Sequence, residues 1–391
     1  MPVELGGGTG GQPDAEVIVI GAGAAGAAAG FHLAARGHSV LLLEQRAPGA
    51  GKPCGGGMAA SVQRLFPFDL TPAVEQVIRR VRFTWELEDP VLAELPGEAP
   101  FWIVQRACFD AFLAQRACEA GARLLQPCRA EALERRGDRW WVQLQDGRSL
   151  SARAVLLADG SGSSLAARHG LGPPRPRYAA TVSVEVDTAP LDPETARFEF
   201  GLVHHGFCWA FPRRSGWSIG VGTFIGRQEA DSEAVLAALL PSLGLAPDAG
   251  VRRHGQLRVW DGHHPLHGRG AGGEGLLVAG DAASLCDPFL AEGLRPSLLS
   301  GCHAAEALDR WLAGDSDAPA AYSRRMRSEW GDSMAWGRRI ARVFYRVPKV
   351  GYQLGIKRPT APQRIAQILS GEMGYGDIAQ RVIRRLLFQG S

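Results

Sequence analysis

Apolar residues along the chain gather in short runs that end in glycine, the pattern of buried parallel strands feeding tight turns. Residues 17–20 form the first such run, Gly21, Gly23 and Gly26 follow it, and the alanine-rich stretch 24–35 predicts a helix. A second apolar run, 40–43, completes strand, turn, helix and strand, which predicts a βαβ unit. Two later runs repeat the entry into a turn: 155–158 leads into Asp159-Gly160, and 276–279 leads into Gly280-Asp281. Between them the period changes. Phe207, Trp209 and Phe211 alternate with smaller residues, predicting a strand with one aromatic face, and a turn at Arg213 to Gly216 returns it as a hairpin. Core packing and the wall of an apolar pocket both produce such a face. Beyond Gly293 the pattern is helical, first at 297–307 and later where Arg338, Arg339, Arg342 and Arg346 recur at helical positions.

The first turn carries chemistry. Glycines at 21, 23 and 26, with Ala24 and Ala25 between them, let the backbone approach a pyrophosphate, whose charge the helix N-terminus stabilises. Glu44 stands eighteen residues past Gly26, where a carboxylate accepts hydrogen bonds from an adenosine ribose, and Gln45 and Arg46 follow it. The turns at Asp159-Gly160 and Gly280-Asp281 lie at the carboxyl ends of strands, where ligands sit in open α/β sheets. An Asp after Gly at that place accepts from a ribityl hydroxyl. Three such turns in this order favour a flavin dinucleotide over a nicotinamide one.

Composition narrows the class. With 391 residues, 46% of them hydrophobic, the chain exceeds the usual size of one core, and two intertwined domains are expected. The opening MPVELGGGTGGQPDA is expected to be a disordered lead-in, neither a signal peptide nor a targeting helix. No run of eighteen apolar residues occurs. Seven scattered cysteines without a CxxC pair, and no His spacing suited to zinc, predict no metal site and a reducing cytosol. The net charge of +3 conceals an asymmetry: from Ala321 onward there are fourteen Lys/Arg against four Asp/Glu. Such a segment suits either a solvated helical face or anionic lipid head groups, and it lacks the aromatic interleaving that nucleic-acid binding favours. Trp330, Trp336, Phe344 and Tyr345 lie among these charges, consistent with a peripheral membrane face or with plain core packing.

With GAGAAG, LLADGSGSS and GDAASLCDPFLAEG in place, the sequence resembles flavoproteins of the para-hydroxybenzoate hydroxylase type of fold. Within them it is similar to the geranylgeranyl reductase family, through KPCGGGM at 52–58, RACFDAFL at 106–113, GFCWAFP at 206–212 and the closing ILSGEMGYGDIAQRVIRRL. The resemblance implies an α/β fold: a Rossmann-like FAD-binding domain, an inserted, mainly antiparallel substrate sheet, and a helical C-terminal region. Residues 14–65, 100–178 and 270–310 are expected to form the FAD domain, 66–99 and 179–269 the substrate domain, and 311–391 the basic helical region after a lead-in of 1–13.

The same resemblance places Cys54 and Gly55 near the flavin, Arg106 on the FAD phosphates or ribityl chain, Asp281 on the ribityl chain, and Pro288 to Gly293 with Leu294 along the reactive edge. A buried inert thiol at Cys54, an i,i+4 ion pair between Arg106 and Asp110, and a helix-capping role for Glu292 are the plainer alternatives. Glu292 is a candidate proton donor if burial raises its pKa. Cys286 reads as scaffold, and a regulatory disulfide between Cys54 and Cys286 is conceivable if their loops meet. The aromatic pair Phe207 and Trp209 is a candidate catalytic wall.

The sequence departs from the family at Phe207, where a Tyr is common, at Ala291, and at Arg295-Pro296. The expected function is hydrogenation of isolated C=C bonds of a geranylgeranyl or polyprenyl chain, with an FAD-dependent monooxygenase as the alternative and a non-catalytic flavin carrier as a third class. GFCWAFP also resembles the halogenase WxWxIP signature, yet no Lys follows Lys52 until Lys349, which argues against halogenation. No CxxxxC pair follows the first turn, so the electron donor is expected to be transiently bound NAD(P)H or a ferredoxin.

Overall fold

The computed structural model describes residues 13–47, 50–98, 100–224, 231–270, 273–358 and 360–380. The expected lead-in, apart from Pro13 on, and the closing RVIRRL lie outside these residues. Strand β1 (Ala15–Ile20) pairs in parallel with β2 (Val40–Leu43) and with Ser149–Leu157. Arg123–Leu125 extends the sheet beyond β2, and Leu276–Val278 lies parallel to the far half of Ser149–Leu157. The near half of that strand carries an antiparallel hairpin, Ala130–Arg136 and Arg139–Leu144. Val17, Ile18, Val19, Leu42 and Leu156 are wholly buried, which is why these runs lack the alternation of a half-exposed sheet. Each contributes about 1.5–3 kcal/mol of apolar burial.

Helix α1 (Ala24–Ala34) packs on β2 and against the long helix Leu294–Leu312. Small residues set the spacing: a Cβ on Gly301 would stand 2.2 Å from Ala25 O, and one on Gly30 would stand 2.7 Å from Leu42 Cδ2.

The second sheet has seven strands in the order Arg253–Val259, Arg177–Val186, Trp217–Thr223, Gly206–Pro212, Thr195–Phe200, Arg80–Trp85 and Glu88–Glu94. All its pairs are antiparallel except Thr195–Phe200 with Arg80–Trp85. Both faces of Gly206–Pro212 are buried: Cys208 and Ala210 pack with Leu236 and Leu239 of the helix Ser232–Leu239, while Phe207, Trp209 and Phe211 turn the other way. A small sheet of Gly57–Ala59, Phe101–Ile103 and Gln76–Ile78 joins the two larger ones.

Helices fill the C-terminal part, at Ala318–Met326, Asp332–Arg346, Pro348–Gly355 and Ala361–Leu369. Trp330, Phe344 and Tyr345 are buried and Trp336 is half-buried under the Arg339 guanidinium. Of the two readings for these aromatics, core packing is the one observed. Trp330 Nε1 donates to Leu285 O at 2.8 Å, Tyr345 Oη to Phe289 O at 2.8 Å, and Tyr375 Oη to Asp287 Oδ2 at 2.7 Å. The C-terminal helices thereby clamp the loop after Gly280-Asp281.

Candidate active site

The first turn is built by glycines, and at Gly21 and Gly26 nothing larger fits. Gly21 has φ +100°, and a Cβ on Gly26 would stand 1.7 Å from Gly21 O. Helix α1 begins at Gly23 with no side-chain cap and no acidic residue in its first turn, so its N-terminal amides are left for an anion. Glu44 braces the turn: Ala22 N–H donates to Oε2 at 3.0 Å and Arg46 N–H to Oε1 at 2.9 Å.

These elements open into one cavity. Gly21, Gly23, Ala24, Ala25, Glu44, Gln45 and Arg46 line it, with Gln45 and Arg46 exposed at the rim. Cys54, Gly55, Arg106, Asp159 and Gly160 line it from the next segments, and Asp281, Glu292, Gly293 and Leu294 from the third turn. Phe207 and Trp209 form part of its far wall. Four expected contacts are absent from the lining: Gly26, Gly280, Pro288 and Phe289 are buried behind it. Gly26 and Gly280 shape the turns from inside, since both sit where a Cβ would strike α1 or its turn. Pro288 lies within the loop that Asp287 ties, as Phe289 N–H and Leu290 N–H donate to Asp287 Oδ1 at 2.6 and 3.1 Å.

Arg106 and Asp110 do form the i,i+4 pair, bidentate at 3.1 and 2.8 Å, but inside the cavity wall rather than on the surface. Burial opposes the charge on Arg106, yet Asp110 and the Cys54 sulfur hold its pKa above the usual value. Lys52 Nζ contacts Asp281 Oδ2, so the carboxylate expected on a ribityl chain is already paired with a cation at the same wall. Asp159 Oδ1 is buried without a hydrogen-bond partner, and burial raises its carboxyl pKa. Arg258, 4% exposed, donates to the carbonyls of Ser161, Ser163 and Ala282, locking the second turn to the third.

Glu292 lines the cavity from the third turn. Ala291 before it has φ +57°, a left-handed conformation that aims the turn inward. Burial raises the Glu292 carboxyl to about 7 against the pull of Arg295, whose Nη2 is 2.8 Å from Oε2. Its other oxygen has no partner. Cys286 is buried, and burial pushes its thiol well above the ordinary value. The disulfide is not formed: Cys54 and Cys286 are both free, and Cys286 Sγ contacts Asp287 O at 3.8 Å.

The apolar wall holds Phe101, Phe198, Phe207, Trp209, Phe211 and Phe224, extended by Leu257, Leu290 and Leu369. Trp209 lies across Gly220 of the neighbouring strand, where a Cβ would stand 2.2 Å from its ring. Trp209 Nε1 donates to Ser218 Oγ, which donates to Cys54 O, at 3.5 and 3.4 Å. Sequence reasoning passed over Lys52 as a contact, although its being the one lysine before Lys349 was a signal. Arg258, Asp287 and Tyr375 carried no local signal. Among the described residues no three His, Cys, Asp or Glu cluster to hold a metal.

The chain matches the family model "FAD dependent oxidoreductase" over residues 16–87 and 99–306. It is 32% identical to a digeranylgeranylglycerophospholipid reductase of Methanothermobacter thermautotrophicus, over 82% of this chain and 85% of that one. It is 30% identical to the menaquinone reductase of Mycobacterium tuberculosis, over 84% of this chain and 83% of that one. In fold it is similar to a geranylgeranyl bacteriochlorophyll reductase-like protein of Thermoplasma acidophilum, with TM-score 0.80, 18% identity, and 95% and 98% of the two chains covered. The residues present fit FAD: the glycine cradle, the uncapped start of α1 and the orphaned Asp159 oxygen each await a partner of that chemistry. With turns, cavity and relatives in agreement, the chain belongs to the FAD-dependent oxidoreductases, in their geranylgeranyl reductase family.

Proposed function

We propose that this protein saturates isolated C=C bonds in the geranylgeranyl or polyprenyl chain of a lipid. The observation that carries this reading is the continuity of one cavity from the glycine cradle to a wall of six aromatic rings, with an ionisable carboxyl between them. Adding two hydrogens to an isolated alkene takes a hydride and a proton, and reduced FAD supplies the hydride when bound.

The chain's residues take the remaining tasks. Gly21, Gly23, Ala24, Ala25 and Glu44 hold the adenosine and pyrophosphate side, with Gln45 and Arg46 at its rim. Arg106, Asp159, Gly160 and Asp281 hold the ribityl side, and Cys54 and Gly55 close over the flavin with Gly293 and Leu294. Glu292 holds the proton, being half protonated near pH 7. Phe207, Trp209 and their neighbours exclude water and align the chain, as an apolar substrate offers nothing for hydrogen bonds to grip. The FAD part is formed around the first sheet and the substrate part around the second. Reducing equivalents come from NAD(P)H or a ferredoxin in transient contact. Among the described residues no helix is long and apolar enough to cross a membrane, and such a lipid is met at a membrane surface.

The test is anaerobic. Dithionite-reduced protein is mixed with digeranylgeranyl lipids and menaquinone, and flavin reoxidation is followed by absorbance and the products by mass. Reoxidation with product heavier by two hydrogens is expected. Reoxidation only when oxygen enters, with an oxygenated product, would replace this reading by the monooxygenase.

A further inference from the structure

The helices Asp332–Arg346 and Pro348–Gly355 bury one face and leave another bare. Val343 is 68% exposed, Val347 48%, Val350 52% and Leu354 54%. Arg339, Arg342, Val343, Arg346 and Val347 share one face at helical spacing, and Lys349, Val350, Gln353 and Leu354 continue it on the next helix. From Ser333 to Gly371 the sequence has eight Lys/Arg and no Asp or Glu. Among the described residues Arg342, Arg346 and Lys349 make neither ion pair nor hydrogen bond, so their charge is unspent within the protein; Lys357, nearby, is taken by Asp89.

The opposite face of the first helix packs behind the cavity wall. Tyr345 stacks on Phe224 with ring centroids 5.4 Å apart, and Phe224 lies 5.7 Å from Phe207. Phe207 and Phe224 both line the cavity. One helix therefore backs the apolar end of the cavity with its inner side and carries an apolar, cationic strip on its outer side.

We propose that this outer strip docks the protein on a bilayer containing anionic lipid. Clustered arginines alone would suit any acidic surface; valines and a leucine interleaved with them suit one that has an apolar layer beneath its charges. The docked helix then sets the aromatic end of the cavity next to the lipid that the reductase reading requires, and on that reading the purpose of docking rests.

The holoprotein is floated with vesicles of phosphatidylcholine alone and of phosphatidylcholine mixed with phosphatidylglycerol. Recovery with the anionic vesicles only, weakened by salt, is expected. Arg342→Ala/Arg346→Ala lowers the partition coefficient about 25-fold, at about fivefold per basic residue. Val343→Ser/Val347→Ser lowers it even at low salt. Both variants change exposed side chains, and their flavin absorbance verifies the fold. Wild-type protein that stays with the buffer, or variants that float like wild type, overturns the proposal. So does an arginine variant that loses only electron transfer from an acidic carrier protein, which would assign the strip to that partner. Adsorption is read without turnover, so protein that floats but saturates no dispersed substrate sinks the reductase reading and leaves the docking face standing.

Discussion

Arg295 Nη2 sits 2.8 Å from Glu292 Oε2, while Glu292 Oε1 and Arg295 Nε are buried without a hydrogen-bond partner. A pair satisfied on one side only does not keep its carboxyl fully ionised, and burial prevails over the arginine to raise Glu292 to about 7. Glu292→Gln keeps the shape and removes the proton. The saturation rate is expected to fall about 10²- to 10⁴-fold while FAD absorbance is unchanged. In the wild type the rate falls as pH rises through about 7, because the acid form is the one that works, and the variant lacks that limb. A retained limb would move the proton to another group.

The same raised pKa has a consequence for stability. Folded Glu292 holds its proton up to about 7, whereas an unfolded carboxyl loses it near ~4.3, so the folded state binds the proton more tightly. Stability from this group is full below the unfolded value and declines as pH rises through the folded one, by at most ~4 kcal/mol. Urea unfolding between these pH values should show the decline in wild type and a flatter profile in Glu292→Gln.

Lys52 and Asp281 are 15% and 8% exposed at the side chain, so breaking their pair strands a charge. Lys52→Met is expected to cost about 3 kcal/mol in urea unfolding, and Lys52→Met/Asp281→Asn less than the single change. A double change that costs the sum of Lys52→Met and Asp281→Asn measured singly would mean that the two groups act independently.

Two glycines of one turn should fail in different ways. A Cβ on Gly26 would overlap Gly21 O at 1.7 Å, so Gly26→Ala is expected to lower stability by about 3 kcal/mol or more. At Gly23 the nearest atom is Asp110 Oδ2 at 3.9 Å, and that position faces the cavity. Gly23→Ala is expected to fold with its melting temperature nearly unchanged and to lose FAD, read as the flavin absorbance retained on purification.

Asp159 is a similar case without the crowding. Its buried oxygen lacks a partner, so Asp159→Asn should leave the FAD-free protein as stable or more so. FAD affinity should drop about tenfold, the worth of one hydrogen bond, by fluorescence titration.

The parts legible in the sequence are those whose geometry is local. The run 17–20, the glycines after it and Glu44 make a turn within thirty residues, and backbone sterics alone restrict what such a turn becomes. Alternation of Phe207, Trp209 and Phe211 set their common face, because a strand turns by half per residue. Whether that face met solvent, core or cavity was not local. It was decided by Gly220 making room for Trp209 and by Phe198 and Phe224 arriving from other strands. Lys52 meets Asp281 across 229 residues of chain, and Tyr375 meets Asp287 across 88. Periodicity carries no record of such pairings, since it reports which way a side chain points and not what the fold later places there. Pro288 shows the same limit from the other side: it is buried behind the cavity lining, in a loop whose Phe289 carbonyl and Asp287 carboxylate are bonded by Tyr345 and Tyr375 from far along the chain. The sequence by itself determined the strand-turn-helix that receives a dinucleotide; tertiary structure decided which charges are paired around it, because burial and distance, not order along the chain, set the energy of a charge.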